Sequence, residues 1–327
     1  MTLAFHWSMV VRFPLLIVLA LATVTIATDR SVAQTQPRFR SGVDVVALDV
    51  YVKDRDGRFV PELTAVDFLV LDDSRPREIQ FFSPGSRVPL AVVLMVDRSA
   101  SMRGLKMDRA KLAASAFIRT LGPDDLLEVI AFGDRTERPL FFSIDRAAAE
   151  DAIAGLSAHG MTALFESLSI GLRDLEQLRR RETTEYRQAI VILSDGEDTK
   201  SLLAFDDVLE QARQSSVLVY TVSLRADEKG RALPTPRELF QLANDTGGRA
   251  VAVEDPEKLE PVYREIGAEL RHLYRLAFLP TGTANDGSWR RLSVRVPAQA
   301  GAHVRTRAGY YAPRPPARIA DRLDAPR

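Results

Sequence analysis

Four short runs constrain this 327-residue chain more than any other feature: LAVVLMV (90–96), LLEVIAF (126–132), AIVIL (189–193) and VLVYTV (217–222). Each is rich in valine, isoleucine and leucine and lacks the polar alternation of a strand with one wet face. Strands buried on both faces of a parallel sheet have this pattern. The stretches between them carry helical periodicity. Ala110, Ala114, Phe117, Ile118 and Leu121 share one helical face, and Leu164, Leu168, Leu172 and Leu175 share another. In TPRELFQLANDTGG, Thr235 is expected as an N-cap, Pro236 as the first helical residue, Glu238 as the capping-box partner and Gly247 as the stop. A further helix is expected to begin at Asp255, and RPLFFSI (138–144) fits a short antiparallel edge strand. Strands and helices alternating at these lengths predict a doubly wound α/β domain with a mostly parallel sheet.

In such sheets ligands sit beyond the carboxyl ends of the strands. The first buried run breaks there, at Asp97, and Ser99 and Ser101 follow at two-residue spacing. Taken alone, this pattern also serves to satisfy loop amides and cap the next helix. Two more segments arrive at the same edge. SDGEDTKS (194–201) places Asp195 just after a second buried run, and HGMTALFESL (159–168) places Thr162 just before a helix. Two carboxylates and three hydroxyls form an oxygen-only set suited to a hard cation. Magnesium accepts a few protein oxygens and keeps waters, whereas calcium takes more ligands. If both carboxylates act through coordinated water, the direct ligands are mostly neutral hydroxyls. The cation then stays electron-poor, keeps an open position and attracts a carboxylate from outside.

An alternative at the same metal is a magnesium-dependent hydrolase, for example of phosphate esters. It needs a base placed to activate water. His159, Glu197 and Asp198 are near in sequence, and none belongs to a recognised pair. A third reading is a structural envelope protein in which the metal only rigidifies loops. The chain has no cysteine, which removes disulfides, thiolate metal sites and cysteine nucleophiles. Lysine plus arginine and aspartate plus glutamate both number 44, so the net charge offers no polyanion signal. No G-x-x-x-x-G-K-[ST] phosphate loop is present, and no G-x-G-x-x-G follows a strand.

The segment 87–271 resembles a von Willebrand factor type A (VWA) domain. Its DRSAS, GMTAL and SDGED motifs resemble the metal-ion-dependent adhesion site of that family, and VYTVSL (219–224) and LANDTGGRAV (242–251) add to the likeness. The resemblance implies that Asp97, Ser99, Ser101, Thr162 and Asp195 hold Mg2+ or Mn2+. It also implies a non-enzymatic module whose protein partner offers a carboxylate to the metal. Met161 stands where family members often have glycine, and its side chain is expected to crowd the loop.

The flanks resemble those of a family of exported bacterial VWA-related proteins. In the N-terminal β segment (34–86), VDVVALDVYV has one strongly apolar register, DRDGRF is a turn, and a strand pair surrounds DDSRP. Each flank supplies only about 45 residues, too few for a stable core alone. The N-terminal segment and the C-terminal segment (272–313) are therefore expected to combine into one flanking β-sandwich, with the VWA domain inserted. Two separate β-appendages are the alternative. Arg290, Arg291, Arg295, Arg305, Arg307 and Arg314 are expected on a solvated strand face. Without interleaved aromatics they do not support nucleic-acid binding.

At the start of the chain, Arg12 precedes the charge-free run Phe13 to Ala27, and Ser31-Val32-Ala33 offers a small-residue exit. Residues 1–33 are expected to be a secretory signal, leaving a mature chain near Gln34 that is periplasmic, secreted or cell-surface and has no stable membrane insertion. An uncleaved anchor is the alternative, although the run is short for a span of about 20 residues. The proline- and charge-rich tail (314–327) is expected to be disordered.

Overall fold

The computed structural model describes residues 45–84, 88–196, 198–225, 233–281 and 285–313. The signal segment, Glu197, Arg314 and the tail lie outside the described residues.

The four apolar runs become β5 (Leu90–Asp97), β6 (Leu126–Phe132), β8 (Arg187–Ser194) and β9 (Leu218–Leu224). With β10 (Ala250–Val253) and β7 (Thr136–Ser143) they form a six-stranded sheet in the order β10-β9-β8-β5-β6-β7. All its pairings are parallel except that of the edge strand β7, which runs antiparallel to β6. Every residue of β5, β8 and β9 is buried. Helices cover both faces. The core beneath α1 (Leu105–Ile118), α2 (Arg146–Ala154) and α6 (Leu259–His272) includes Val92, Leu94, Phe117 and Tyr263. The core beneath α3 (Leu164–Arg181), α4 (Phe205–Gln214) and α5 (Arg237–Thr246) includes Val93, Ile130, Leu168 and Leu242. The strand runs need no polar alternation because neither sheet face meets water.

The flanking segments build two four-stranded sheets. One has the order β13-β1-β11-β4, from His303–Arg305, Val46–Lys53, Tyr274–Phe278 and Ile79–Ser83; the other has β14-β12-β2-β3, from Gly309–Tyr311, Trp289–Arg295, Leu69–Asp72 and Arg75–Arg77. Each sheet mixes N- and C-terminal strands: β1 pairs with β11 (Leu48 opposite Leu276) and β2 with β12 (Val70 opposite Val294). Leu48, Val50, Val70, Leu276, Phe278 and Leu292 share one core between them. The two flanks thus form one sandwich rather than two appendages. Both registers of β1 are used. Leu48, Val50 and Val52 face the sandwich core, while Tyr51 joins the core beneath α1 and α6 and Asp49 turns to the α/β layer.

Asp49 anchors a buried ion cluster at that junction. Arg187, fully buried at the start of β8, donates from Nε to Asp49 Oδ1 at 2.8 Å, and from Nη1 and Nη2 to the carbonyls of Leu270 and Leu273 at 2.8 and 2.9 Å. Arg275 Nη2 reaches Asp49 Oδ2 at 3.0 Å and its Nη1 reaches Glu185 at 2.7 Å. Burial alone would raise the Asp49 carboxyl, but the two guanidinium charges outweigh it and hold the group at about 2.

Three expectations are corrected. Helix α5 opens at Arg237, not Pro236: Pro236 has ψ of 140° and takes the N-cap position, so Thr235 is displaced and no side-chain cap forms. Gly247 does stop this helix, with φ of +83°, and a Cβ there would sit 2.6 Å from the Arg307 amide. Asp255 caps a 3-10 turn (Pro256–Lys258), and α6 follows at Leu259. The C-terminal arginines are not simply solvated. Arg305 binds Glu269 and the Gly247 carbonyl and lies over the Tyr51 ring. Arg307 donates to the carbonyls of Gly309 and Arg213, and Arg290 pairs with Asp73 and Asp286. They fasten the sandwich to the α/β layer and to its own turns.

Glu128 of β6 is fully buried, and neither carboxyl oxygen meets a hydrogen-bond donor among the described residues. Burial first, then the neighbouring charge of Asp174 on α3, push this carboxyl up to about 8, with Arg138 opposing. Its folded value therefore lies above its unfolded value of 4.5. The folded state holds the extra proton between those limits, so stability falls as pH rises through that window. Glu128→Gln should remove this slope and raise stability at pH 8.5 by about 1–3 kcal/mol. Urea unfolding of both proteins at pH 5.5 and 8.5 checks it. Parallel pH dependence in the two would refute the assignment.

Candidate metal centre

Strand β5 ends at Asp97 and β8 at Ser194, side by side in the sheet, so Asp97 and Asp195 leave the same edge. Asp97 is fully buried. Its Oδ1 accepts the Ser99 amide at 2.8 Å and its Oδ2 accepts the Ser194 hydroxyl at 2.7 Å. Burial pushes the Asp97 carboxyl above the usual carboxylate range, and the charge of Asp195 adds to this. The hydrogen bonds from Ser194 and Ser99 pull the other way. Ser99 Oγ lies 2.9 Å from Ser101 Oγ, and Ser101 Oγ donates to Asp195 Oδ1 at 2.7 Å. Four of the five sequence-selected residues are thus joined in one hydrogen-bonded chain.

Thr162 arrives through its loop. Its carbonyl accepts the amides of Thr199 and Lys200 at 3.0 and 3.1 Å, and its own amide donates to Thr199 Oγ1 at 3.2 Å. On the other side, the Ala100 amide donates to the Gly160 carbonyl at 2.9 Å and the His159 amide to the Arg98 carbonyl at 2.6 Å. The Thr162 loop is therefore stitched to both carboxylate loops. Its hydroxyl makes no hydrogen bond among the described residues, which leaves it free as a ligand. Gly160 has φ of +80°, and a Cβ there would overlap the Asp134 carboxylate at 2.1 Å, so this turn requires glycine. Met161 does not crowd the loop as expected. Its amide donates to Asp134 Oδ1 at 3.1 Å and its side chain projects into solvent.

Lys106 and the pairing of Arg98 were not legible from the motifs, and the named candidates Asp198 and His159 take other roles. Lys106, in the first turn of α1, donates to Asp195 Oδ2, whose side chain is 1% exposed. Asp198 Oδ2 accepts the amides of Leu164 and Phe165 at 2.7 and 3.0 Å and so caps α3 from another loop. Arg98 bridges Glu137 at 2.6 Å and His159 Nε2 at 2.5 Å, while His159 Nδ1 lies 3.1 Å from the Ser157 carbonyl. Lys106 lies five residues beyond Ser101, as the second residue of α1 after the non-helical Arg103 and Gly104. That spacing was the available signal.

The donor set fits a hard divalent cation. Lys106 pairs with Asp195, while buried Asp97 has no cationic partner among the described residues in a region where burial resists its charge. Hydroxyls of Ser99, Ser101 and Thr162 complete an all-oxygen set, the chemistry that magnesium and manganese select. Asp97, Ser99, Thr162 and Asp195 are buried, and Ser101 is the member of the set exposed to solvent.

The arrangement of these loops on this sheet has relatives. A family model for the von Willebrand factor type A domain matches residues 91–265. An uncharacterized protein of Synechocystis sp. is 35% identical over 114 residues, covering 34% of this chain and 26% of that protein. Human inter-alpha-trypsin inhibitor heavy chain H1 is 26% identical over 144 residues, covering 41% of this chain and 16% of its own length. The chain therefore spans about a quarter or less of these relatives. The solved structure of a von Willebrand factor type A protein from Catenulispora acidiphila superposes with a TM-score of 0.50 at 16% identity, covering 75% of this chain and 72% of that one. The doubly wound sheet, the loop order around Asp97, Thr162 and Asp195, and a family model matching more than half of the sequence agree, and the chain belongs to the von Willebrand factor type A domain family.

Proposed function

We propose that this chain is a binding module that grips a protein partner through a divalent metal, Mg2+ or Mn2+, held by Asp97, Ser99, Ser101, Thr162 and Asp195. Domains of this family mediate protein–protein interaction and adhesion. The observation that carries the metal reading is the hydrogen-bonded chain that runs from buried Asp97 through Ser99 and Ser101 to buried Asp195 at one sheet edge. When bound, the cation supplies a Lewis-acidic position for a carboxylate of the partner. Asp97 is placed by the end of a rigid strand, and Ser194 and the Ser99 amide fix both of its oxygens. Ser101 and Lys106 fix Asp195. The Lys106 ammonium keeps the site from saturating with negative charge, so an external anion remains attractive.

A hydrolytic role has less support. His159 is engaged with Arg98 and the Ser157 carbonyl, and Asp198 is spent on the amides that open α3. Two of the three candidate bases thus serve the loops, and the third, Glu197, lies outside the described residues.

Among the described residues no helix is long and apolar enough to cross a membrane. The charge-free run after Arg12 and the Ser31-Val32-Ala33 exit support export with a mature start near Gln34. Purification from the producing cell tests both parts together. Sequencing should find an N-terminus near Gln34 in protein released without detergent, and the partner retained in Mg2+ should elute with chelator. A detergent-dependent chain starting at Met1 would establish an uncleaved membrane anchor in place of a cleaved signal, and a partner indifferent to chelator would refute the metal grip.

A further inference from the structure

Lys106 sits where its own helix disfavours it. It is the second residue of α1, and the first turn of a helix presents the positive end of the peptide dipoles, which favours anions. What holds the ammonium there is Asp195 Oδ2, its one acceptor among the described residues. The Lys106 side chain is 38% exposed and that of Asp195 is 1% exposed. A solvated cation on a flexible stem thus reaches a buried carboxylate from outside.

Every carboxylate oxygen of the proposed metal set is engaged. Asp97 accepts the Ser99 amide and the Ser194 hydroxyl. Asp195 accepts the Ser101 hydroxyl on Oδ1 and Lys106 on Oδ2. Of these four donors Lys106 alone carries a full charge. A carboxylate oxygen that accepts a neutral donor keeps lone-pair capacity for a cation. An ammonium on the same carboxylate instead repels a divalent ion at close range. The charge count agrees: two carboxylates and one divalent ion sum to zero, and Lys106 makes the sum positive.

Resting on the metal-site reading above, we propose that Lys106 is a built-in competitor for Asp195. It neutralises that carboxylate where divalent ions are scarce and yields Oδ2 where they are plentiful. Lys106 thereby sets the ion concentration at which the metal binds, and it regulates the site without being one of its ligands.

Titration of the full chain with Mn2+, beside Lys106→Met, Lys106→Gln and Lys106→Arg, tests this, together with urea unfolding of each in chelator. Lys106→Met keeps the stem and removes the charge. It should bind Mn2+ at least about tenfold tighter than the wild type. In chelator it should unfold at lower urea, because buried Asp195 has lost its cation. Those opposite signs separate a competitor from a lysine that only builds the loop, whose removal would lower both. Lys106→Gln keeps a donor for Asp195 without the charge and should show the same tightening. Lys106→Arg keeps the charge and should bind no tighter than the wild type. Equal or weaker Mn2+ binding by the two neutral variants, beside a wild type that takes up one ion, would overturn this inference and leave the metal reading intact. A wild type and neutral variants that all take up no ion would overturn both.

Discussion

Arg187→Ala should destabilise the chain by about 3–5 kcal/mol, the cost of breaking a buried ion pair by removing one partner. Arg187 is fully buried and holds three acceptors at once: Asp49 on β1, and the Leu270 and Leu273 carbonyls where α6 passes into β11. Its loss leaves two buried carbonyls without their donors and Asp49 with Arg275 as its remaining buried guanidinium. Because the same side chain ties the sandwich to the start of β8, unfolding should remain a single transition in the wild type and separate into two in the variant. Arg187→Lys keeps the charge but cannot supply the three-way fork, and should lose a substantial part of the same stability. Chemical denaturation followed by tryptophan fluorescence and circular dichroism measures both variants. A wild-type midpoint in Arg187→Ala would show that the cluster is not what joins the layers.

What the sequence disclosed and what it withheld follow from range. The strands β5, β6, β8 and β9 were legible because burial on both faces writes itself as a local run. The pairing of the two flanks was legible from size and from the apolar register of Val46, Leu48, Val50 and Val52. Asp97, Ser99, Ser101 and Asp195 were found because each sits at a fixed offset from such a run, and the structure joins them. Arg187 was not legible as a fastener, since its partner Asp49 lies 138 residues away and nothing local marks the pair. Lys106 was hidden for a similar reason, since its acceptor Asp195 comes from another loop; Asp198 was named as a candidate, but the helix it caps, α3, could not be read from its own segment. The capping box at Glu238 failed because a local motif was read without the extended backbone of Pro236.

Asp97→Asn should abolish metal binding, lowering affinity by about 100-fold or more, while leaving the fold intact. The asparagine keeps the shape and can still accept the Ser99 amide, so the loop remains. It removes a buried carboxylate that burial already pushes upward, so the metal-free variant should be at least as stable as the metal-free wild type. Ser99→Ala should cost less, about 1–3 kcal/mol of metal binding, because water can replace one neutral ligand. Metal should stabilise the wild type by about 2.7 kcal/mol at a hundredfold excess over the dissociation constant, and should not stabilise Asp97→Asn.

Isothermal titration of the full chain with Mn2+ and with Mg2+, beside Asp97→Asn under the same conditions, tests the metal centre most directly. Binding of one ion per chain in the wild type, reversed by chelator and absent in the variant, is the predicted result. A wild type that takes up neither ion in the millimolar range, or a variant that binds as the wild type does, would contradict it and return Asp97 and Asp195 to the role of loop anchors.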